Sequence, residues 1–391
     1  MLSRDVRLTR ALSVVSFLAS LVLSMALAHS RAGMVPVAVF ALACLGLWHG
    51  TPRIRHTAIL NAVVALAVLN GLIVVPELLL RLRDFRYEAG IQFGYPRPTG
   101  FAYLEPDEKL FWRRNRDDKN VNSLGFVGRE VQIPKPAGCF RILFFGDSVT
   151  EQGFPDVVGH LLNLDGPDTL RFDCVSLAAA GYSSYQGTVL ADLYGSALEP
   201  DAAVVLFGWN DHYQAYGAPD RRKTVSPAPA SRGAGRWLGT LRLAQLAAWA
   251  ADGLRGSRPH PLNELRVSPE EYRGNLGYIH DRLTGGGVPV LFLTAPTSHY
   301  RWDTPDYLVR KGFASGKQRS QALHRQYNEI VREVARERGA LLVDLERELA
   351  HLPPRDVAAL FSRDGIHLSL AGSAVVASRI AKALHPLIRE P

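Results

Sequence analysis

The sequence predicts a three-layer α/β domain, a doubly wound parallel sheet of five strands covered by helices on both faces, preceded by transmembrane helices. Two observations predict the sheet. Five short runs after residue 138 are apolar throughout rather than at every second residue, the pattern of strands buried on both faces. Stripes of helical period lie between them, so strand and helix alternate as a parallel sheet requires. A third observation predicts the membrane segment. Between Ala11 and Leu80 the only formally charged residues are Arg31, Arg53, Arg55 and Glu77. The 391 residues therefore divide into an anchor over 1–86, a connecting segment over 87–138 and an α/β domain over 139–391 with an insertion at 212–267.

The anchor contains three apolar stretches, 11–28, 33–49 and 57–80. About 20 apolar residues cross a bilayer, so the first and third are long enough and the second is marginal. Three such runs in succession, separated only by HSRAG and TPRIRH, predict three transmembrane helices rather than the core helices of a large globular domain. Arg4, Arg7 and Arg10 precede the first stretch, and Arg53 with Arg55 separates the second from the third. Both clusters belong on the cytoplasmic side, which puts the chain beyond Leu80 outside, in the periplasm or beyond. Arg81, Arg83 and Arg86 argue the other way. A second reading makes residues 1–28 a signal peptide ending at Ala26-Leu27-Ala28, which leaves two spans and the same location. Glu77 reads as an interfacial residue.

Charge placement excludes another class. Nine arginines in residues 1–86 face only Asp5, Glu77 and Asp84, a net of +6 out of +8 for the chain. The basic excess thus belongs to the membrane end, and no nucleic-acid face is expected; the lipid bilayer is the expected partner there. Three cysteines, with no CxxC and no HExxH, exclude a disulfide-built scaffold and the usual zinc signatures, so neither metal nor cofactor is expected.

After a Tyr-, Phe-, Pro- and Arg-rich connecting segment of irregular or short β structure, FRILFF (140–145) is the first strand. Phe154, Val157, Val158, Leu161 and Leu162 mark a helix; FDCVSLA (172–178) and AAVVLFG (202–208) are the next strands. The insertion holds a flexible stretch, APDRRKTVSPAPASRGAG, and then an apolar helix over 237–254 that fits either core packing or a lid or membrane-resting cap. Ser268-Pro269-Glu270-Glu271 forms a capping box with proline at the first helical position, and Gly285-Gly286-Gly287 ends that helix. VPVLFLTAP (288–296) is the fourth strand. Leu323, Tyr327, Ile330, Val331 and Val334 mark a helix that stops at Gly339, ALLVDL (340–345) is the fifth strand, and Val376, Ile380, Leu384 and Leu387 mark the last helix.

Ligands of doubly wound sheets bind beyond the carboxyl ends of the strands. There the sequence places Gly146-Asp147-Ser148 after strand one, Gly181 after strand two, Gly208-Trp209-Asn210-Asp211 after strand three and Asp364-Gly365-Ile366-His367 beyond strand five. A serine hydroxyl needs a base, His367 supplies one near neutral pH, and Asp364 stands three residues away to hold its other ring nitrogen. The backbone N–H groups of Ser148 and Gly181 and the amide of Asn210 offer three donors to an oxyanion. Acyl transfer needs this set. Asp147 and Asp211 read as loop braces. His299, in TAPTSHY on the same edge, fits either a substrate contact or a surface histidine.

These blocks, FFGDSVT, the Gly181 segment, GWND and DGIHLSLAG, resemble in order the four blocks of the SGNH (GDSL-type) hydrolases. The resemblance covers about residues 138–390. It implies Ser148 as nucleophile, Gly181 and Asn210 completing the oxyanion hole, and Asp364 and His367 as the D-x-x-H pair. NVNSLGFVGRE and VVPELLLRL further resemble the family's membrane-anchored bacterial branch. Val149 replaces the usual leucine, and the 212–267 insertion departs from the pattern around the cleft. No GxSxG occurs, which excludes the nucleophile elbow of the α/β-hydrolase fold.

The expected activity is a membrane-anchored serine esterase cleaving O-acyl esters, such as O-acetyl groups of envelope polysaccharide or lipid esters. An O-acyltransferase passing the acyl group to a sugar hydroxyl is the alternative, and a carbohydrate-binding protein with a dead site is a third reading against which the complete triad argues. One further expectation concerns Cys139 and Cys174, each seven residues before a block glycine. If strands one and two pair in that register the thiols sit at similar heights, and an oxidising compartment would permit a bond, although parallel-strand geometry is seldom ideal for one.

Overall fold

The computed structural model describes residues 76–83, 85, 87, 104–167, 169–223, 241–255, 261–300 and 304–388. The apolar stretches 11–28 and 33–49, and all of 57–80 except 76–80, lie outside these. Among the described residues no helix is long and apolar enough to cross a membrane.

The chain divides into two compact units. One holds residues 1–89 and 229–257, the other 90–228 and 258–391. Among the described residues the second contains nine strands. β1 (Leu104–Asp107) and β2 (Phe111–Arg114) form an antiparallel hairpin. β3 (Cys139–Gly146), β4 (Arg171–Ala178) and β5 (Ala202–Leu206) follow, then β6 (Gln214–Tyr216) and β7 (Pro261–Leu265), and finally β8 (Val290–Leu293) and β9 (Leu341–Val343). The central sheet has the order β4-β3-β5-β8-β9 with every pair parallel. These are the five strands that the apolar runs predict.

Alternation along the strands divides the apolar side chains between two layers. Leu143, Phe145, Val175, Leu177, Val205 and Phe292 meet the helices Ser184–Tyr194, Pro269–Thr284 and Lys317–Glu337 on one face. Ile142, Phe144, Phe172, Val204 and Leu291 meet the helices Phe154–Asp165 and Leu370–Leu384 on the other. Apart from Arg141 in β3 and Arg171, Asp173 and Ser176 in β4, the strands are therefore apolar on both faces, because each face has its own helical cover. The connecting segment also contributes: Leu104, Leu110, Phe111, Trp112 and Phe126 are buried in the first of these cores.

The expected capping box starts its helix at Ser268, and a serine also starts the last helix. The Ser268 hydroxyl accepts from the Glu271 N–H while the Glu271 carboxylate accepts from the Ser268 N–H, so the capping box is closed. Ser369 caps the last helix by accepting from Gly372 N–H.

The insertion divides between the units. Its stem, the β6–β7 pair, belongs with the sheet domain. Its helix, Arg242–Leu254, groups with the chain before residue 89. Within that unit the buried carboxylate of Glu77, 0% exposed, accepts from the N–H groups of Arg242 (3.0 Å) and Leu243 (2.9 Å), and also from Arg81. Glu77 is thus the N-terminal cap of the insertion helix, a carboxylate where the helix leaves N–H groups unpaired and its dipole is positive. Tyr87 adds a bond from its N–H to Gln245 Oε1 (3.0 Å), and Phe85 meets the Trp249 ring edge-on.

The expectation for the cysteines fails on register. Cys139 pairs with Arg171 and Cys174 with Ile142, an offset of three residues or about 10 Å along the strands. Cys174 also packs in the core of Ile142, whereas odd-numbered β3 positions such as Leu143, and with them Cys139, face the opposite layer. Both thiols are free. The equal spacing to Gly146 and Gly181 misleads because Gly146 ends β3 while Gly181 lies three residues past the end of β4.

Candidate active site

The sheet order reverses at β3, so the crevice between the ends of β3 and β5 is the topological switch point. Ser148 follows β3 and Asn210 follows β5. Gly146 lets the chain turn there: a Cβ on it would stand 2.0 Å from Thr150 Oγ1 and 3.0 Å from the Leu206 carbonyl oxygen. Asp147 then caps the four-residue helix Ser148–Glu151, accepting from the Val149 N–H at 2.9 Å. Its other oxygen accepts from the Asn210 amide at 3.0 Å. One carboxylate therefore fixes both the turn at Ser148 and the side chain of Asn210, while the second amide hydrogen of Asn210 stays available. Burial pushes the Asp147 carboxyl up to about 6 against the opposing pull of these bonds and of His367.

β9 is the far edge of the sheet, yet the chain after it returns to the switch point. The helix Leu370–Leu384 packs with Phe154–Asp165 under β3, and the loop before it carries the histidine. His367 Nε2 lies 2.8 Å from Ser148 Oγ, and His367 Nδ1 lies 2.5 Å from Asp364 Oδ2. Asp364 Oδ1 accepts from Ile366 N–H, His367 N–H and Ser362 Oγ–H at 3.0, 3.0 and 2.8 Å. Burial alone would raise the Asp364 pKa, but these bonds and the His367 ring hold it well below the ordinary carboxylate range. Burial likewise opposes charge on His367. The Asp364 hydrogen bond and charge, with Asp147 and Glu151 behind them, outweigh it and leave the His367 pKa raised. With Nδ1–H given to the carboxylate, Nε2 is the lone-pair nitrogen that faces the serine.

His299 is neither a surface residue nor turned toward open space. It is 3% exposed, and its Nε2–H donates to the Asp364 carbonyl oxygen at 2.7 Å. Ser298 N–H and Thr297 Oγ–H both donate to the Gly365 carbonyl oxygen at 3.1 Å. The loop after β8 therefore braces the loop of Asp364 and His367. Gly365 makes the approach possible: its φ is +70°, and a Cβ there would stand 2.4 Å from Ser298 Oγ and 2.6 Å from His299 Cδ2.

Asp211 braces as expected, accepting from Ser184 N–H (2.8 Å) and Gly208 N–H (3.1 Å), and burial pushes its carboxyl up to about 7. Beside it lies a feature that sequence reasoning missed. Trp209 stacks on His324 with ring centroids 4.0 Å apart, and His324 Nδ1 lies 3.0 Å from His212 Nε2. His324 Nε2–H donates to the Ala295 carbonyl, so its Nδ1 accepts and His212 Nε2–H donates. Burial lowers both pKa values, His212 to about 3, so the pair is neutral and serves to seat the Trp209-Asn210 turn. Two distant residues were also missed. Trp112 of β2 donates from Nε1 to the Ala180 carbonyl at 2.9 Å, and Arg266, just after β7, donates from Nη1 to the Gly181 carbonyl at 2.8 Å.

The sequence of residues 144–375, more than half of the chain, matches the GDSL-like lipase/acylhydrolase family. The chain belongs to that family. Ester hydrolysis is accordingly the chemistry of this GDSL-family enzyme, at the level at which the family defines it. Solved structures similar to it include a lipase/acylhydrolase from Enterococcus faecalis, with 15% identity, 64% of this chain and 98% of that one covered, and a TM-score of 0.41. Another is LAE5, an alpha/beta hydrolase enzyme from the metagenome of Lake Arreo, at 21% identity, with 64% and 97% covered and a TM-score of 0.40. A catalytic mutant of Axe2, an acetylxylan esterase from Geobacillus stearothermophilus, shows 16% identity, 64% and 97% covered, and a TM-score of 0.38. Comparison with curated proteins gives no match.

Proposed function

We propose that this GDSL-family enzyme is a membrane-anchored serine esterase of the bacterial inner membrane, with its catalytic unit on the outer side. Its substrates are O-acyl esters, O-acetyl among them, of envelope polysaccharide or lipid. The observation that carries the chemistry is the continuous chain from Ser148 Oγ through His367 to Asp364. Ser148 Oγ attacks the ester carbonyl carbon as His367 Nε2 takes its proton. The C=O electron pair moves to oxygen, and the N–H groups of Ser148 and Gly181 with the Asn210 amide receive the charge. Collapse expels the alkoxide, which takes the proton from His367, and leaves acyl-Ser148. His367 then deprotonates a water that attacks this ester, and a second collapse returns the proton to Ser148 and releases the acid. Asp364 keeps the imidazole in the required tautomer and stabilises the imidazolium, staying ionised throughout.

The anchored location is supported by the arginine distribution of residues 1–86 and by the apolar stretches there. An anchor holds the enzyme beside envelope esters, which is the argument for the substrate class. Two measurements test this reading. Ser148→Ala and His367→Ala each reduce ester hydrolysis by several orders of magnitude, and a Ser148→Ala enzyme near wild-type rate defeats the mechanism. Alkaline phosphatase fused after Pro391 is active; a phosphatase-negative fusion, fluorescent with a green reporter instead, puts the domain in the cytoplasm and removes envelope polymers from the substrate list.

A further inference from the structure

We infer that Trp112 is a positioning residue of the oxyanion hole: its indole N–H, through the Ala180 carbonyl, aims and polarises the Gly181 N–H. The inference rests on the oxyanion role proposed above for Gly181. A peptide unit is planar, so the Ala180 C=O and the Gly181 N–H are two ends of one rigid group pointing in opposite directions. The bond is trans, as the one cis peptide among the described residues is Ile133-Pro134. Fixing the carbonyl end therefore fixes the direction of the N–H end. Trp112 Nε1 does this at 2.9 Å from a side chain that is 0% exposed. The Gly181 N–H itself has no acceptor among the described residues, which leaves it free to meet an oxyanion.

The attachment is reciprocal. Tyr182 Oη–H donates back to the Trp112 carbonyl at 2.7 Å, and the two rings lie 6.0 Å apart. On the next peptide Arg266 Nη1 holds the Gly181 carbonyl at 2.8 Å. Arg266 is itself locked by Asp220, which accepts from its Nε (3.2 Å) and Nη2 (2.6 Å), and also from Ser183 Oγ (2.8 Å) and Lys223 Nζ (3.0 Å). Both carbonyls that flank the Gly181 Cα are thus tied by side chains from segments 68 and 85 residues away. A hydrogen bond to a carbonyl also draws charge through the amide and makes its N–H a stronger donor. The hairpin before the sheet and the end of the insertion, neither of which touches the triad in the contacts described, thereby enter the catalytic geometry.

The test compares Trp112→Phe with Tyr182→Phe in the full-length enzyme. Both delete one hydrogen bond of the same buried cluster, but only the first frees the Ala180–Gly181 peptide. Loss of a whole oxyanion donor costs about 10²–10³ in kcat, so loss of its alignment is expected to cost about tenfold in kcat for Trp112→Phe with KM changed by less than about twofold. Inhibition by a trifluoromethyl ketone, whose serine adduct carries the oxyanion, weakens by the same factor. Tyr182→Phe lowers Tm by a similar amount and leaves kcat within about twofold. Replacing Trp112 by β-(3-benzothienyl)alanine, which keeps the bicyclic shape and lacks the N–H, repeats the result should phenylalanine pack poorly. Wild-type kcat in both Trp112 variants, or equal kcat losses in the Trp112 and Tyr182 variants, overturns the positioning role while the inactivity of Ser148→Ala leaves the serine mechanism standing. Activity in Ser148→Ala overturns the mechanism itself.

Discussion

Asp364→Asn separates the electrostatic work of the triad from its packing. In the wild type Asp364 Oδ1 accepts three bonds and Oδ2 accepts one, from His367 Nδ1. Asparagine oriented by the three donors keeps its oxygen in the Oδ1 position and turns an NH₂ toward His367. The ring must then accept at Nδ1 and carry its proton on Nε2, where it meets Ser148 Oγ and can no longer act as base. All four bonds persist but lose their charge assistance, and the bond to His367 reverses its direction, a stability cost of about 1.5–3 kcal/mol. The wrong tautomer costs kcat about 10⁴-fold, or roughly 5.4 kcal/mol of transition-state stabilisation. The pH dependence supplies a second readout. Asp364 is depressed in the fold, so its contribution to stability is present above the ordinary carboxylate range and is lost as pH falls through the lower folded value. His367 is raised, so its contribution is present below the ordinary histidine value and is lost as pH rises through the higher folded one. The destabilisation of Asp364→Asn is therefore larger at pH 5–6 than at pH 9. Wild-type kcat/KM falls as pH drops through the raised His367 value, and in the variant this inflection moves to lower pH. The assay is kcat and kcat/KM for p-nitrophenyl acetate from pH 5 to 9 beside urea melts at the two extremes. An asparagine variant within about tenfold of wild-type kcat refutes the assignment of Asp364.

Three other outcomes follow from the geometry. Asn210→Ala lowers kcat by about 10²–10³ with KM little changed, because the amide serves the transition state; a change confined to KM, read from the same kinetics, contradicts this. Gly146→Ala drives a methyl into Thr150 Oγ1 and the Leu206 carbonyl, and a loss of about 1–3 kcal/mol is expected in denaturant melts, with an unchanged midpoint as the contrary result. Peptides carrying Cys139 and Cys174 take up the same amount of alkylating reagent with and without prior reduction, and a gain on reduction contradicts the register of β3 and β4.

Fold and site were legible in the sequence to different depths. The five strands were readable because burial on both faces forces short, mostly apolar runs such as AAVVLFG, and their short length between helical stripes marks them as strands. Ser148 and Asn210 were readable because each directly follows such a run, so strand end and polar residue are one local signal. Register was not, since apolar runs pair equally well at several offsets, and the spacing of Cys139 and Cys174 to their glycines ignored that the loop to Gly181 extends past β4. Trp112 and Arg266 were invisible for another reason. Each acts on a backbone carbonyl far away in sequence, and a carbonyl leaves no trace in a sequence pattern. His299 was misjudged because a polar residue past a strand end reads as exposed, whereas the Gly365 turn covers it. The helix at 237–254 was predicted from its apolar character alone; it begins at Arg242, where Glu77 caps it.

The serine nucleophile is the claim on which everything else depends, and covalent labelling tests it most directly. The full-length enzyme treated with a fluorophosphonate, digested and read by mass spectrometry is expected to carry a single phosphonyl group on Ser148. The label is expected to be absent from Ser148→Ala and to form more slowly in His367→Ala. An adduct at any other residue with Ser148 unmodified, or ester hydrolysis that survives complete labelling, contradicts the account.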